Sequence, residues 1–308
     1  MKSTTFTYKD QDDIEIFVYK WEPDSGQTKA VIQISHGVAE HGLRYQYIAE
    51  YLTSKGYSVY ANDQRGHGKS IKNNNVGYLG PTGWEGTIKS IHELTNIIKK
   101  ENPNIPVFFY GHSFGSLLGQ DVVQQFGSDY KGVIFSGTTG GANKLLLKMG
   151  GILARRAAKK DPTSPNQKLN DMNMKPFNKR WSKEPEATGF EWLSSDKEQV
   201  QKYIDDPLCG FVSPASYFAE LIYGLGKVWK KSNEMKIPKD LPFYFIAGEY
   251  DPVGGENKFI IQLINRYKKY GMKNIDQKFY PNLRHEIHNE VIKEEVYQDI
   301  SNWLDSHL

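Results

Sequence analysis

Residues 107–119 read Val-Phe-Phe-Tyr-Gly-His-Ser-Phe-Gly-Ser-Leu-Leu-Gly, an apolar run that passes through Gly111-His112-Ser113-Phe114-Gly115 into a helical pattern. The run 107–110 has the length and composition of a fully buried strand, and Phe114, Leu118 and Val122 recur at helical spacing. A Gly-x-Ser-x-Gly between strand and helix holds its serine on a sharp, strained turn. Glycines two residues to either side remove the collisions such a turn would cause. Ser113 is therefore a candidate nucleophile. Its hydroxyl is protonated at neutral pH, so it requires a base, usually a histidine oriented by a carboxylate.

Outward from this turn the chain alternates short apolar runs with amphipathic helices. Strands are expected at 30–34, 58–61, 133–135, 241–246 and 275–280, and helices near 45–52, 86–100, 259–267 and 292–304. Before them, Phe6 and Tyr8, then Ile14, Ile16, Val18 and Trp21, predict two peripheral antiparallel strands, with 23–26 as a turn. The pattern predicts an α/β fold with a mostly parallel central sheet flanked by helices. The alternation breaks once. Residues 139–240 form a long helical and irregular stretch, far beyond the ~15 residues a plain loop spans, so an inserted subdomain is expected there, within a core of 1–138 and 241–308. Its first helix, 143–160, carries six basic residues and no acidic one, with Leu146, Met149, Leu153 and Ala157 as the expected apolar face.

In open parallel sheets, sites lie beyond the carboxyl ends of strands. Of eight histidines, His36, His41, His67, His92 and His112 read as structural and His307 is terminal. His285 and His288 both follow the last strand, and His285 lies nearer its end. The acid is sought after the 241–246 strand, where Glu249 and Asp251 stand; Asp251, shorter and fixed by Pro252, is preferred, although it could instead cap the helix that begins near Glu256. Two backbone N–H groups are needed for the oxyanion. Phe114, following the nucleophile, supplies one, and Val38, beside Gly37 at the end of the 30–34 strand, supplies the other.

Composition narrows the alternatives. Lys plus Arg number 39 against 36 Asp plus Glu, a near balance that does not by itself argue for a nucleic-acid partner. Cys209 is the single cysteine, which excludes an intrachain disulfide and a cysteine-rich metal site and fits a cytoplasmic protein; it reads as a small buried residue. His285-Glu286-Ile287-His288 resembles a zinc helix, but its histidines are three apart rather than four. The glycines of 63–70 read as turn residues, and no apolar run approaches the ~18 residues of a membrane span. No cofactor and no metal is expected.

The motifs together resemble the α/β-hydrolase superfamily, in its monoacylglycerol lipase and lysophospholipase branch, over nearly the whole chain. His36-Gly37-Val38-Ala39-Glu40-His41 with Arg44-Tyr45 is similar to that branch's oxyanion loop, and residues 63–70 to its next loop. Residues 111–115 are similar to its nucleophile turn, 248–253 to its acid loop and 280–285 to its histidine loop. The resemblance implies the α/β-hydrolase fold, a helical cap inserted where 139–240 stands, and serine-dependent cleavage of esters such as monoacylglycerols or lysophospholipids. It also implies Ser113, Asp251 and His285 as the triad. The expected partner is a small-molecule ester or lipid, with a transient membrane-surface contact through the basic helix as a further expectation. The alternatives are a serine peptidase or acyltransferase on the same scaffold, and a hydrolase-fold protein that binds without turnover. Oligomeric state, acyl length and head group are not legible.

Overall fold

A computed structural model describes residues 1–142 and 144–308. The expected helix start at Asn143 lies outside the described residues, as do the side chains of Lys144 and Leu146. The chain begins with β1 (Lys2–Lys9) and β2 (Glu15–Glu22), antiparallel to each other. Then come β3 (Ala30–Ser35), α1 (Gln46–Ser54), β4 (Tyr57–Asn62), α2 (Gly83–Glu101), β5 (Val107–His112), α3 (Phe114–Phe126) and β6 (Gly132–Ser136). After β6 follow α4 (Lys144–Lys160), α5 (Gln167–Met174), α6 (Lys197–Asp205), α7 (Ala215–Val228) and α8 (Lys231–Glu234), before β7 (Phe243–Gly248), α9 (Lys258–Lys269), β8 (Ile275–Tyr280) and α10 (Lys293–Asp305) complete the chain.

The strands form one eight-stranded sheet in the order β1-β2-β4-β3-β5-β6-β7-β8, parallel from β4 to β8. The α/β class with a mostly parallel central sheet is as the sequence predicts. One strand differs from expectation. β2 is not peripheral: it is paired on both sides, and Ile16, Val18 and Trp21 are buried. β8 is half-exposed because it forms the far edge of the sheet. β3 to β7 are buried at every position, which is why they read as continuous apolar runs rather than alternating ones.

α4 departs most from the sequence reading. Met149 and Leu153, assigned to its inner face, are exposed, at 60% and 36%, together with Leu145 and Ile152. The inner face is formed by Leu147, Ala154 and Ala158 together with the expected Ala157, with Gly150 and Gly151 against Ile222 of α7. Small residues let the two helix axes approach closely, and the larger side chains are left on the outer side.

Candidate active site

β5 delivers Ser113 onto a turn with φ of 50° and ψ of −120°, a region costly for a residue with a Cβ. The surroundings enforce it: the Ser113 N–H donates to Ser136 O at 2.9 Å, and its carbonyl accepts from the Ser116 and Leu117 N–H groups. The flanking glycines are there for close approach. A Cβ on Gly115 would lie 2.0 Å from Ser35 O, and one on Gly111 2.8 Å from Gly115 O. These contacts press the start of α3 against β3, so the turn cannot relax.

His285 follows β8 and is buried. Its Nδ1 is 2.9 Å from Oδ1 of Asp251, which follows β7. Since a carboxylate only accepts, Nδ1 carries the proton and Nε2 is left as the basic nitrogen. Nε2 is buried with no hydrogen-bond partner among the described residues, so the expected bond from Ser113 Oγ is not formed. Such bonds are often long before substrate binds. Asp251 Oδ1 also accepts the Val253 N–H at 2.9 Å, and the Asp251 carbonyl accepts from Glu256. It thus organises the turn before α9 as well as holding His285. Glu249 and His288 do not enter this pairing: Glu249 Oε2 accepts the Asn282 N–H, and His288 stacks on Tyr45 with its ring centroid 4.8 Å away.

Burial drives the pKa of His285 down, but the charge and hydrogen bond of Asp251, followed by Glu286 and Glu40, leave it above its ordinary value. Four buried histidines, His36, His67, His112 and His288, go the opposite way. Desolvation lowers His288 to about 3 and His67 to about 4. Burial, with His67 and His285 respectively beside them, takes His36 and His112 well below the usual range. His36 is neutral with a defined tautomer, since Nε2 accepts the Gln64 N–H and Nδ1 faces Gly37 O. His92 pairs with Asp129, and His41 Nε2 with Asp206 at 2.8 Å. Cys209 is buried and its thiol is pushed up by desolvation. His41, Asp206 and Cys209 present ligand atoms within 4.8 Å of one another, but the His41–Asp206 hydrogen bond already occupies two of them.

The loop after β3 lies against Ser113: a Cβ on Gly37 would be 3.3 Å from Ser113 Cβ. Val38 N–H has no acceptor among the described residues, and Phe114 opens α3, so its N–H has no acceptor within the helix. Ala39 holds the loop with φ of 54°, its carbonyl accepting from the Gly210 N–H and Tyr203 Oη, each at 2.9 Å. Ser113, His285, Gly37 and Val38 line one cavity of about 240 Å³, walled by Met174, Phe190, Trp192, Phe211 and Val212 from the 139–240 segment.

Part of that segment is bound tightly over His285. The His285 and Glu286 N–H groups donate to Trp192 O and Leu193 O, and the Trp192 ring centroid is 5.0 Å from that of His285. Arg284 donates to Glu191 O at 2.6 Å, and Ser194 Oγ to Asn289 O at 2.9 Å. Trp192 was not assigned to the site from sequence. Its signal was only an aromatic in an irregular stretch, without the periodicity that would place it.

A family model described as Hydrolase_4, "Serine aminopeptidase, S33", matches residues 26–292 of the chain. The chain belongs to this family. Among its relatives, the monoacylglycerol lipase of Mycolicibacterium smegmatis is 25% identical over 296 residues, covering 94% of this chain and 92% of the relative. The human monoglyceride lipase is 24% identical over 294 residues, with 94% and 86% covered. A solved carboxyl esterase from Bacillus coagulans, in complex with glycerol, superposes with a TM-score of 0.90 at 24% identity over 99% of both chains. The fold of this family member is thus the α/β-hydrolase fold expected from its motifs.

Proposed function

We propose that the protein is a serine hydrolase that cleaves carboxylic esters of single-acyl lipids, monoacylglycerols or lysophospholipids, through an acyl-enzyme. One observation carries this reading: a histidine oriented by a buried carboxylate, with Nε2 open, lines the same apolar-walled cavity as a serine on a strained turn. The esterases and monoacylglycerol lipases among its relatives support the same chemistry.

In the proposed reaction Ser113 Oγ attacks the ester carbonyl while His285 Nε2 takes its proton. Phe114 and Val38 N–H groups hold the oxyanion, and Asp251 stabilises the imidazolium. His285 then protonates the departing alcohol. Water, deprotonated by His285, attacks the acyl-serine, and Ser113 recovers its proton as the fatty acid leaves. Residues 139–240 act as the cap that supplies the apolar wall for the chain. A cavity near 240 Å³ is small beside the ~300–1,000 Å³ common for ligand sites and suits a slim substrate.

The family's description as serine aminopeptidases raises aminopeptidase activity as a second reading. An aminopeptidase needs an unpaired carboxylate for the substrate ammonium. Of the acidic residues lining the cavity, Glu40 and Glu286 are both bound to Arg44, and Asp171 is paired with Lys175. The test is a series of monoacylglycerols, lysophospholipids, simple esters and aminoacyl amides, with Ser113→Ala as blank. Long-chain single-acyl esters should be the fastest substrates, and faster release of amines than of alcohols would overturn the proposal.

Among the described residues no helix is long and apolar enough to cross a membrane. The outer side of α4 nevertheless presents Leu145, Met149, Ile152 and Leu153, flanked by exposed Lys148, Arg155, Arg156, Lys159 and Lys160. That combination of apolar and cationic side chains suits transient docking on an anionic lipid surface. Co-sedimentation should rise with anionic lipid content and fall for Met149→Ser/Leu153→Ser; binding indifferent to both would remove the idea.

A further inference from the structure

Arg44 lies between two buried carboxylates that belong to the two loops framing the reaction centre. Its Nη1 donates to Glu40 Oε2 at 2.6 Å, and Nη1 and Nη2 donate to the two oxygens of Glu286 at 2.8 and 2.7 Å. Glu40 Oε1 in turn accepts the Gly37 N–H and Tyr45 Oη. Glu286 is the residue after His285, and its Oε2 also accepts from Asn289 at 3.0 Å. The side chains of Arg44, Glu40 and Glu286 are 11%, 2% and 4% exposed. From Gly37 to Glu286, the residue after His285, there is thus a continuous chain of charge-assisted hydrogen bonds.

Such a group is an expensive way to fill a core, since desolvating three charges commonly outweighs their attraction. One guanidinium also serves two carboxylates: Arg44 holds Glu286 ionised, whereas at Glu40 burial outweighs Arg44 and raises the pKa of the carboxyl. We propose that Glu40, Arg44 and Glu286 are positioning residues that fix the oxyanion loop and the His285 loop relative to each other and place a negative charge behind the general base. The proposal rests on the serine-hydrolase reading above. Fork-to-fork pairing of arginine with a carboxylate is directional, so the clamp sets an angle as well as a distance. Its consequence is that Val38 N–H, one residue from Gly37, and His285 Nε2 keep a common frame as substrate enters. Misplacement by ~1 Å in such a frame can cost 10²-fold in rate.

The charged and titratable groups facing His285 are Asp251 after β7, Glu286 and His288 on its own loop, Glu40 from the loop after β3, and His112 at the end of β5. Burial raises the pKa of Glu286, but Arg44 more than offsets this and takes it down to about 2, so it is charged throughout any assay range. Removing that charge lowers the pKa of His285.

The experiment compares Glu286→Gln and Arg44→Lys with wild type, with Ser113→Ala as blank and with Glu234→Gln as a structural comparison. Glu234 is fully buried and pairs with Arg266 outside the site. Esters of 4-nitrophenol are followed across pH, alongside thermal melts. Glu286→Gln should lose about 10- to 100-fold in kcat with KM within about threefold, and its acid limb should fall by roughly half a unit. Arg44→Lys keeps the charge and loses the fork, so kcat should fall by a similar ~10- to 100-fold while the limb stays in place. Glu234→Gln should lower Tm with kcat and limb unchanged. If Arg44→Lys does not fold, Glu40→Gln takes its place, with kcat expected to fall. The proposal is overturned if the clamp variants keep kcat within about twofold of wild type, or if they lose kcat only as Glu234→Gln does for the same drop in Tm, with no shift in limb. Full turnover in Ser113→Ala would instead refute the serine-hydrolase reading itself.

Discussion

Ser113→Ala should abolish ester hydrolysis, with a loss in kcat of roughly 10⁵- to 10⁶-fold, as when the nucleophile of another serine hydrolase is removed. The fold should be unaffected, because alanine carries the same Cβ at the same φ of 50° and the hydrogen bonds of this turn are made by the Ser113 backbone. A residual rate well above that of water is expected, since the Phe114 and Val38 N–H groups remain to polarise the carbonyl. Steady-state turnover of a 4-nitrophenyl ester, with a melt to show the folded state, checks both parts. A variant that turns over normally would mean that Ser113 is not the nucleophile.

Asp251 carries the second large effect, and its two substitutions should differ. Asp251→Ala removes the orienting acceptor and the counter-charge together, with an expected loss in kcat of about 10⁴-fold. In Asp251→Asn the Val253 N–H, which donates to the same Oδ1 that faces His285, keeps the amide oxygen in place, and the tautomer of His285 survives. Only the charge is lost, so the fall should be milder, about 10²- to 10³-fold. The pH profile separates the cases further. His285 must be neutral to accept a proton, so kcat/KM rises as pH increases through its pKa. In the wild type Asp251 holds that pKa above the ordinary value, and the limb should lie above ~6.5. In Asp251→Asn burial dominates and the limb should move below it. An acid limb that does not move between wild type and Asp251→Asn would separate Asp251 from the general base.

These residues were legible because each is marked locally. A buried parallel strand reads as an uninterrupted apolar run, and the polar residue at its end stands where the sheet opens; the candidates Ser113 and Asp251 follow such runs, and the candidate His285 follows the edge strand β8. The rest of the site is formed by residues distant in sequence. Arg44 and Glu286 are 242 positions apart, and nothing near either marks the other as its partner. Trp192 covers His285 from an irregular stretch whose path no periodicity describes. The helix α4 failed for another reason. Its period was correct, but period shows which residues share a face and not which face is buried; Gly150, Gly151 and Ala154 decided that by allowing α7 to come close. β2 was misplaced because its two neighbours, one on each side, come from segments before and after it.

The central claim is that Ser113 is activated by its surroundings rather than merely accessible. A fluorophosphonate ester, whose phosphorus reacts with an activated serine, tests it directly. The protein is titrated with the reagent, and the modified peptide is identified by mass spectrometry. One equivalent should be incorporated on Ser113, with proportional loss of ester hydrolysis, and incorporation should be suppressed in Asp251→Ala. Labelling spread over several serines, or none at Ser113 in folded protein, would contradict it.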